Sequence, residues 1–156
     1  MGMTTISKLE ALADSIIASS AYSDPTSVQY KYRNPLGLMA FCRHAKPYKK
    51  CTDGCSTPKS DRHEYDPKTG LRIFKTHVRG YQCALSDLEI KCSDRSYSKV
   101  RKTSSIRELI RSYYLPDGTA GYAARFLRKA LGDETITEET RIEYFMSTTE
   151  KETVNA

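Results

Sequence analysis

All five cysteines and all three histidines of this 156-residue chain fall within residues 42–92: Cys42, His44, Cys51, Cys55, His63, His77, Cys83 and Cys92. Thiolate and imidazole are the side chains that hold soft and borderline metal ions, so their confinement to one stretch implies a shared local role. Thr52, Asp53 and Gly54 separate Cys51 from Cys55, a spacing that wraps one turn and lets two sulfurs converge on one ion. Cys42 and Cys83 complete the expected tetrahedral set, with His44, His63, His77 and Cys92 as alternatives. Zinc suits such a site because it accepts both ligand types and needs no redox chemistry. Iron–sulfur ligation lacks the close-set cysteine spacing, and an odd cysteine count argues against a closed disulfide set. The plainer alternative makes Cys83 and Cys92 ordinary buried side chains and the histidines surface groups.

Charge marks out a second kind of chemistry. Residues 41–132 carry 20 Lys and Arg against nine Asp and Glu, a net of +11, whereas residues 133–156 carry a net of −5. A basic body of this kind is the footprint of a protein that meets a polyanion. Lys46, Lys49 and Lys50 lie beside Tyr48, and Arg95, Lys99, Arg101 and Lys102 surround Tyr97. Lys and Arg neutralise phosphates while interleaved Tyr stacks on bases. The alternative is a solvated charged surface with neighbouring tyrosines by coincidence.

Catalytic signals are thinner. Glu89 and Lys91 resemble the Glu-x-Lys strand of metal-dependent nucleases, in which Asp66 would join Glu89 on magnesium. An acid-x-Lys triplet is easily met by chance, and Asp66, Pro67 and Lys68 form another. No phosphate-binding glycine loop occurs, so the chain leans away from being an enzyme.

These side chains need elements to position them. Ile6, Leu9, Ala13, Ile16 and Ile17 recur at helical spacing, with Ser7 and Glu10 as a capping pair, which predicts a helix over 5–19. Residues 28–41 read as short extended pieces, and 42–61 as a loop or knuckle. Asp66, Pro67 and Gly70 predict a hairpin turn with 71–78 as its returning strand, and 82–91 reads as strand-like or irregular. Ser105 and Glu108 predict a capped helix bearing Ile106, Leu109, Ile110, Tyr113 and Tyr114 on one face. After the turn at Pro116, Asp117 and Gly118 comes a second helix, with Ala120, Ala123, Phe126, Leu127, Ala130 and Leu131 inward and Gly132 ending it. It would offer Tyr122, Arg125, Arg128 and Lys129 to a groove if the pair works as a helix-turn-helix. Residues 133–146 are a third helix or a hairpin of 134–137 against 141–146.

The expectation is therefore an α+β protein. A small Cys/His, zinc-supported β-hairpin module is followed by a C-terminal helical hairpin, with helix-turn-helix as one option. The divisions are 1–41 (helix and extended segment), 42–95 (basic Cys/His module), 96–147 (helical unit) and 148–156 (acidic tail). A hydrophobic fraction of 38%, a mean hydropathy of −0.60 and the absence of Trp suggest a thin core, which a metal would reinforce. No apolar run approaches the roughly 18 residues of a membrane span. The N-terminus fits neither a myristoylation nor a signal-peptide pattern, which points to an intracellular protein. The predicted function is zinc-stabilised nucleic-acid binding, DNA or RNA, in a regulatory or accessory role. The alternatives are a protein-binding modulator of a larger nucleic-acid machine and the magnesium nuclease of Asp66, Glu89 and Lys91.

Overall fold

Hydroxyl side chains open the helices. Ser7 Oγ accepts the Glu10 N–H at 3.0 Å ahead of α1, Lys8–Ala18. Ser27 Oγ accepts from Tyr30 at 3.1 Å ahead of the short α2, Val28–Lys31. Thr76 Oγ1 accepts from Arg79 at 3.0 Å at the start of α3, His77–Cys92. Ser105 and Glu108 close a reciprocal capping box, at 3.1 and 2.9 Å, ahead of α4, Ile106–Ser112. Each hydroxyl satisfies a backbone N–H that the first helical turn leaves unpaired. Helix α5, Gly118–Leu131, follows the Pro116 turn, and 3₁₀ turns occupy Ala21–Ser23 and Ile142–Met146. The computed structural model describes residues 7–38, 66, 68–95, 99–116 and 118–146.

The ends of α2, α3, α4 and α5 follow one rule. Arg33, Asp94, Tyr114 and Gly132 all have φ between 55° and 64° and stand just past α2, α3, α4 and α5. In each case the next residue's N–H returns to a carbonyl of the last turn: Asn34 to Gln29 at 2.9 Å, Arg95 to Ile90 at 3.0 Å, Leu115 to Ile110 at 3.4 Å and Asp133 to Arg128 at 3.2 Å. This is the Schellman ending, in which the left-handed position favours Gly. Only Gly132 announces itself in the sequence.

Two compact units result. The first comprises Met1–Ser20 and Leu85–Ala156, the second Ala21–Ala84, and α3 contributes its two halves to different units. In the first, α1 packs on α5 and on the Ile142–Met146 turn, and α5 packs on α4. The core is Leu12, Ile16, Leu88, Ile106, Leu109, Ile110, Leu127, Ile136, Ile142 and Phe145, with Ala11, Ala13, Ala120, Ala123 and Ala124 keeping the helices close. Tyr144 donates to Asp133 at 2.5 Å and lies under the Lys8 ammonium at 4.0 Å, which ties the final turn down. Thr135 and Tyr144 hold the Asp133 carboxyl down at about 2.

The second unit centres on Asn34, fully buried. Its Nδ2 donates to the carbonyls of Leu38 and Arg72 at 2.9 and 3.0 Å, and its Oδ1 accepts the Leu38 N–H at 2.8 Å. Around this latch Phe74 and Leu36 are buried, and Tyr32 donates to Asp66 at 2.6 Å.

The α+β expectation is overturned. Helix accounts for 55% of the described residues, which include no strand, sheet or hairpin. Val28–Lys31 is helical, where extended chain was expected. The turn at Asp66 is present, with the Gly70 N–H on the Asp66 carbonyl at 2.7 Å, but no strand returns from it. Leu71 and Arg72 make only isolated bridges, and α3 begins at His77. Residues 82–91 are likewise helix. The core stripe of α3 is narrow, Ala84, Leu88 and Cys92 at four-residue intervals, and Gly80 interrupts its pattern. Residues 133–146 form neither a third α-helix nor the expected hairpin. They pair with Ser104 and the first turn of α4: Ile106 N–H bonds Thr140, Arg107 N–H bonds Glu138 and Ile142 N–H bonds Ser104, at 2.9–3.0 Å.

Candidate nucleic-acid interface

A shallow concave surface in the first unit lies where the 99–104 segment meets the end of α4. Val100 is buried and anchors the segment, leaving Lys99, Arg101 and Lys102 exposed. Two bonds shape the turn: Ser104 Oγ accepts the Arg101 N–H at 2.9 Å, and Asp94 Oδ1 accepts the Lys102 N–H at 2.6 Å. Lys99, Val100, Ser104, Glu108, Arg111, Ser112 and Tyr114 line an open depression of about 470 Å³. Its charged side chains are two cations and one carboxylate, and that carboxylate, Glu108, is engaged with the Ser105 N–H.

Tyr114 stands at its rim. The sequence predicted it inward with Tyr113, but α4 ends at Ser112 and Tyr114 is 93% exposed. The cause is the Schellman turn, which rotates the chain through a left-handed residue. Leu115 precedes Pro116 and is steered away from helical geometry, a signal the sequence did contain. A Tyr at φ 59° costs about 1 kcal/mol relative to Gly there. Arg33 and Asp94 bear similar strain but also bond elsewhere, Arg33 to the Phe74 carbonyl and Asp94 to Lys102.

Helix α5 places Tyr122, Arg125 and Lys129 on one exposed strip. Arg128 faces differently: it is half-buried, and its Nη1 donates to the Ile136 carbonyl at 2.9 Å, clamping the following segment. The carboxylate of Glu138 lies near Gly121, 3.7 Å from where a Cβ would stand, and pairs with Arg107 at 3.0 Å. Negative charge therefore sits beside the end of α5 that a recognition helix would present. Lys46, Tyr48, Lys49 and Lys50 lie outside the described residues.

The expected metal ligands divide similarly. Cys42, Cys51, Cys55, His44 and His63 lie outside the described residues, while His77, Cys83 and Cys92 are on α3. Nine residues of helix put Cys83 and Cys92 on opposite faces, roughly 13 Å apart along the axis, so they do not converge on one ion. His77 Nδ1 is hydrogen-bonded to the Tyr22 hydroxyl at 2.5 Å, and its ring packs on Tyr30 with centroids 4.7 Å apart. Among the described residues, no group of three or more Cys, His, Asp or Glu is arranged to hold a metal.

Burial pushes the Cys92 thiol up to about 12. At pH 8 its thiolate population in the folded chain should be about a thousandfold below that of an ordinary cysteine. Iodoacetamide is expected to modify it that much more slowly in native protein than in denaturant, measured by peptide mass spectrometry. Because the folded value is raised, its contribution to stability is complete below pH 8.5–9 and is lost as the pH rises towards 12.

The nuclease constellation does not assemble as a Glu-x-Lys strand would. Glu89 and Lys91 are two positions apart on a helix, so they point to opposite sides: Glu89 is exposed near Arg95, and Lys91 is buried against Asp87. The Asp66 carboxylate is held by Tyr32. No helix among the described residues is long and apolar enough to cross a membrane. No family model, curated protein or solved structure matches the chain.

Proposed function

We propose that the protein binds nucleic acid in a regulatory or accessory role, through the basic edge of its first unit rather than through a recognition helix. The carrying observation is the depression lined by Lys99, Arg111, Ser104 and Ser112 with Tyr114 at its rim, continuous in sequence with the exposed Arg101 and Lys102. Exposed cations beside hydroxyl groups suit phosphodiester oxygens, and residues 85–132 of the same unit carry ten Lys and Arg against five Asp and Glu. Tyr122, Arg125 and Lys129 extend the exposed basic surface.

Fluorescence anisotropy with labelled oligonucleotides over a salt series tests the proposal. Engaging about three phosphates should give a log–log slope of about −2 to −3. Lys99→Glu with Arg111→Glu should flatten that slope by one to two and weaken binding at every sequence. Affinity that ignores salt, or no retention of any oligonucleotide at low salt, would overturn it. A stoichiometric protein partner captured free of nucleic acid would put the protein-docking modulator in its place.

A further inference from the structure

We infer that the depression is a single-strand site, with one base stacked on Tyr114 and the neighbouring phosphate held by Lys99 and Arg111. The inference rests on the nucleic-acid reading above and specifies its ligand.

Tyr114 is placed where its ring serves packing poorly. A 93%-exposed aromatic ring occupies a left-handed position at which Gly would be relaxed. Folding gains little from the ring there, whereas an open π-face at the edge of a groove is what a base needs. A duplex hides its base faces in the stack, and only an unpaired strand can offer one.

Charge and size agree with this. The lining carries Lys99 and Arg111 against Glu108, a balance that matches one phosphodiester link better than a di- or triphosphate. About 470 Å³ lies within the range of small-ligand clefts and accommodates a nucleotide unit. The hydroxyls offer complementary roles. Ser104 Oγ accepts from Arg101, which leaves its own proton to donate, while Ser112 donates to the Leu109 carbonyl at 2.6 Å and keeps lone pairs to accept. The two serines can therefore meet a phosphate or base carbonyl and a base amine, respectively.

Anisotropy with a short labelled single strand and a duplex of the same sequence tests this on the full chain, using wild type, Tyr114→Gly and Tyr114→Phe. Wild type should prefer the single strand by about tenfold, and Tyr114→Gly should lose about tenfold on the single strand alone. Tyr114→Phe should retain the preference because the ring is kept. The melting temperature of Tyr114→Gly should equal or exceed that of wild type, so that lost binding cannot be lost folding. Equal affinity for both probes, or unchanged single-strand binding in Tyr114→Gly, would overturn the inference while salt-dependent binding left the broader proposal standing. If neither probe binds at low salt, both fall together.

Discussion

Gly80→Ala is expected to destabilise the Ala21–Ala84 unit by about 3 kcal/mol or more, although Gly→Ala inside a helix ordinarily stabilises by about 1 kcal/mol. A Cβ on Gly80 would collide with the Arg33 carbonyl oxygen and lie 3.0 Å from the Arg33 carbonyl carbon and 3.2 Å from Pro35 Cδ. These are backbone and ring atoms that no rotamer change can clear. Arg33 is the left-handed residue ending α2, and Asn34 beside it carries the three bonds of the buried latch. A shift of α3 away from this segment therefore moves backbone next to the buried Asn34 latch and loosens its three hydrogen bonds. Hydrogen exchange followed by NMR gives the readout. Amides of Asn34, Arg72 and Phe74 should lose protection, while those of Leu109, Ala123 and Leu127 keep theirs. A neutral or stabilising Gly80→Ala would show that α3 does not approach Arg33 so closely.

Asp87→Ala should have the next largest effect, about 3 kcal/mol. Lys91 is 10% exposed, its Nζ lies 3.0 Å from Asp87 Oδ2, and it stands 3.8 Å over the Tyr113 ring. The Tyr113 hydroxyl donates to the same carboxylate oxygen at 2.5 Å. Burial, reinforced by the Asp87 charge and this bond, pushes the Tyr113 hydroxyl well above its ordinary value. Removing the carboxylate strands an ammonium in the core, which costs far more than the pair itself contributes. The 30% exposure of Asp87 admits some water and keeps the expected loss at the low end of that range. Asp87→Leu combined with Lys91→Met should recover most of it, because no charge is then left buried. Denaturant melts of the single and double variants make the comparison. A double variant no better than Asp87→Ala would mean that packing, not charge, sets the loss.

Parts of both ends of the chain were legible. Ser7, Ser105 and Glu108 mark helix starts through short-range chemistry, and Gly132 marks an end. The basic cluster Lys99, Arg101 and Lys102 was equally plain, because charge density is a property of composition. Arg111, Ser112, Ser104 and Tyr114 were missed as site residues. Their convergence depends on α4 stopping at Ser112, and the turn that stops it uses Tyr where Gly is the usual mark. Arg128 was misread for a related reason: its helical position suggested solvent, but a returning segment brought the Ile136 carbonyl to it.

The sequence by itself determined the starts of α1 and α4, the basic middle, the acidic end and the exposed strip Tyr122, Arg125 and Lys129, because hydroxyl capping, charge and 3.6-residue periodicity act within a few residues. Tertiary structure alone decided that residues 77–92 are helix rather than strand. Gly80 weakens helix locally, yet only a residue without a Cβ lets α3 meet the Arg33 carbonyl. It also decided that Glu89 and Lys91 diverge, and that Tyr114 turns outward beside Lys99 and Arg111. These outcomes depend on contacts between residues distant in the chain or on a left-handed turn that the residue type disfavours, and neither is encoded in local spacing.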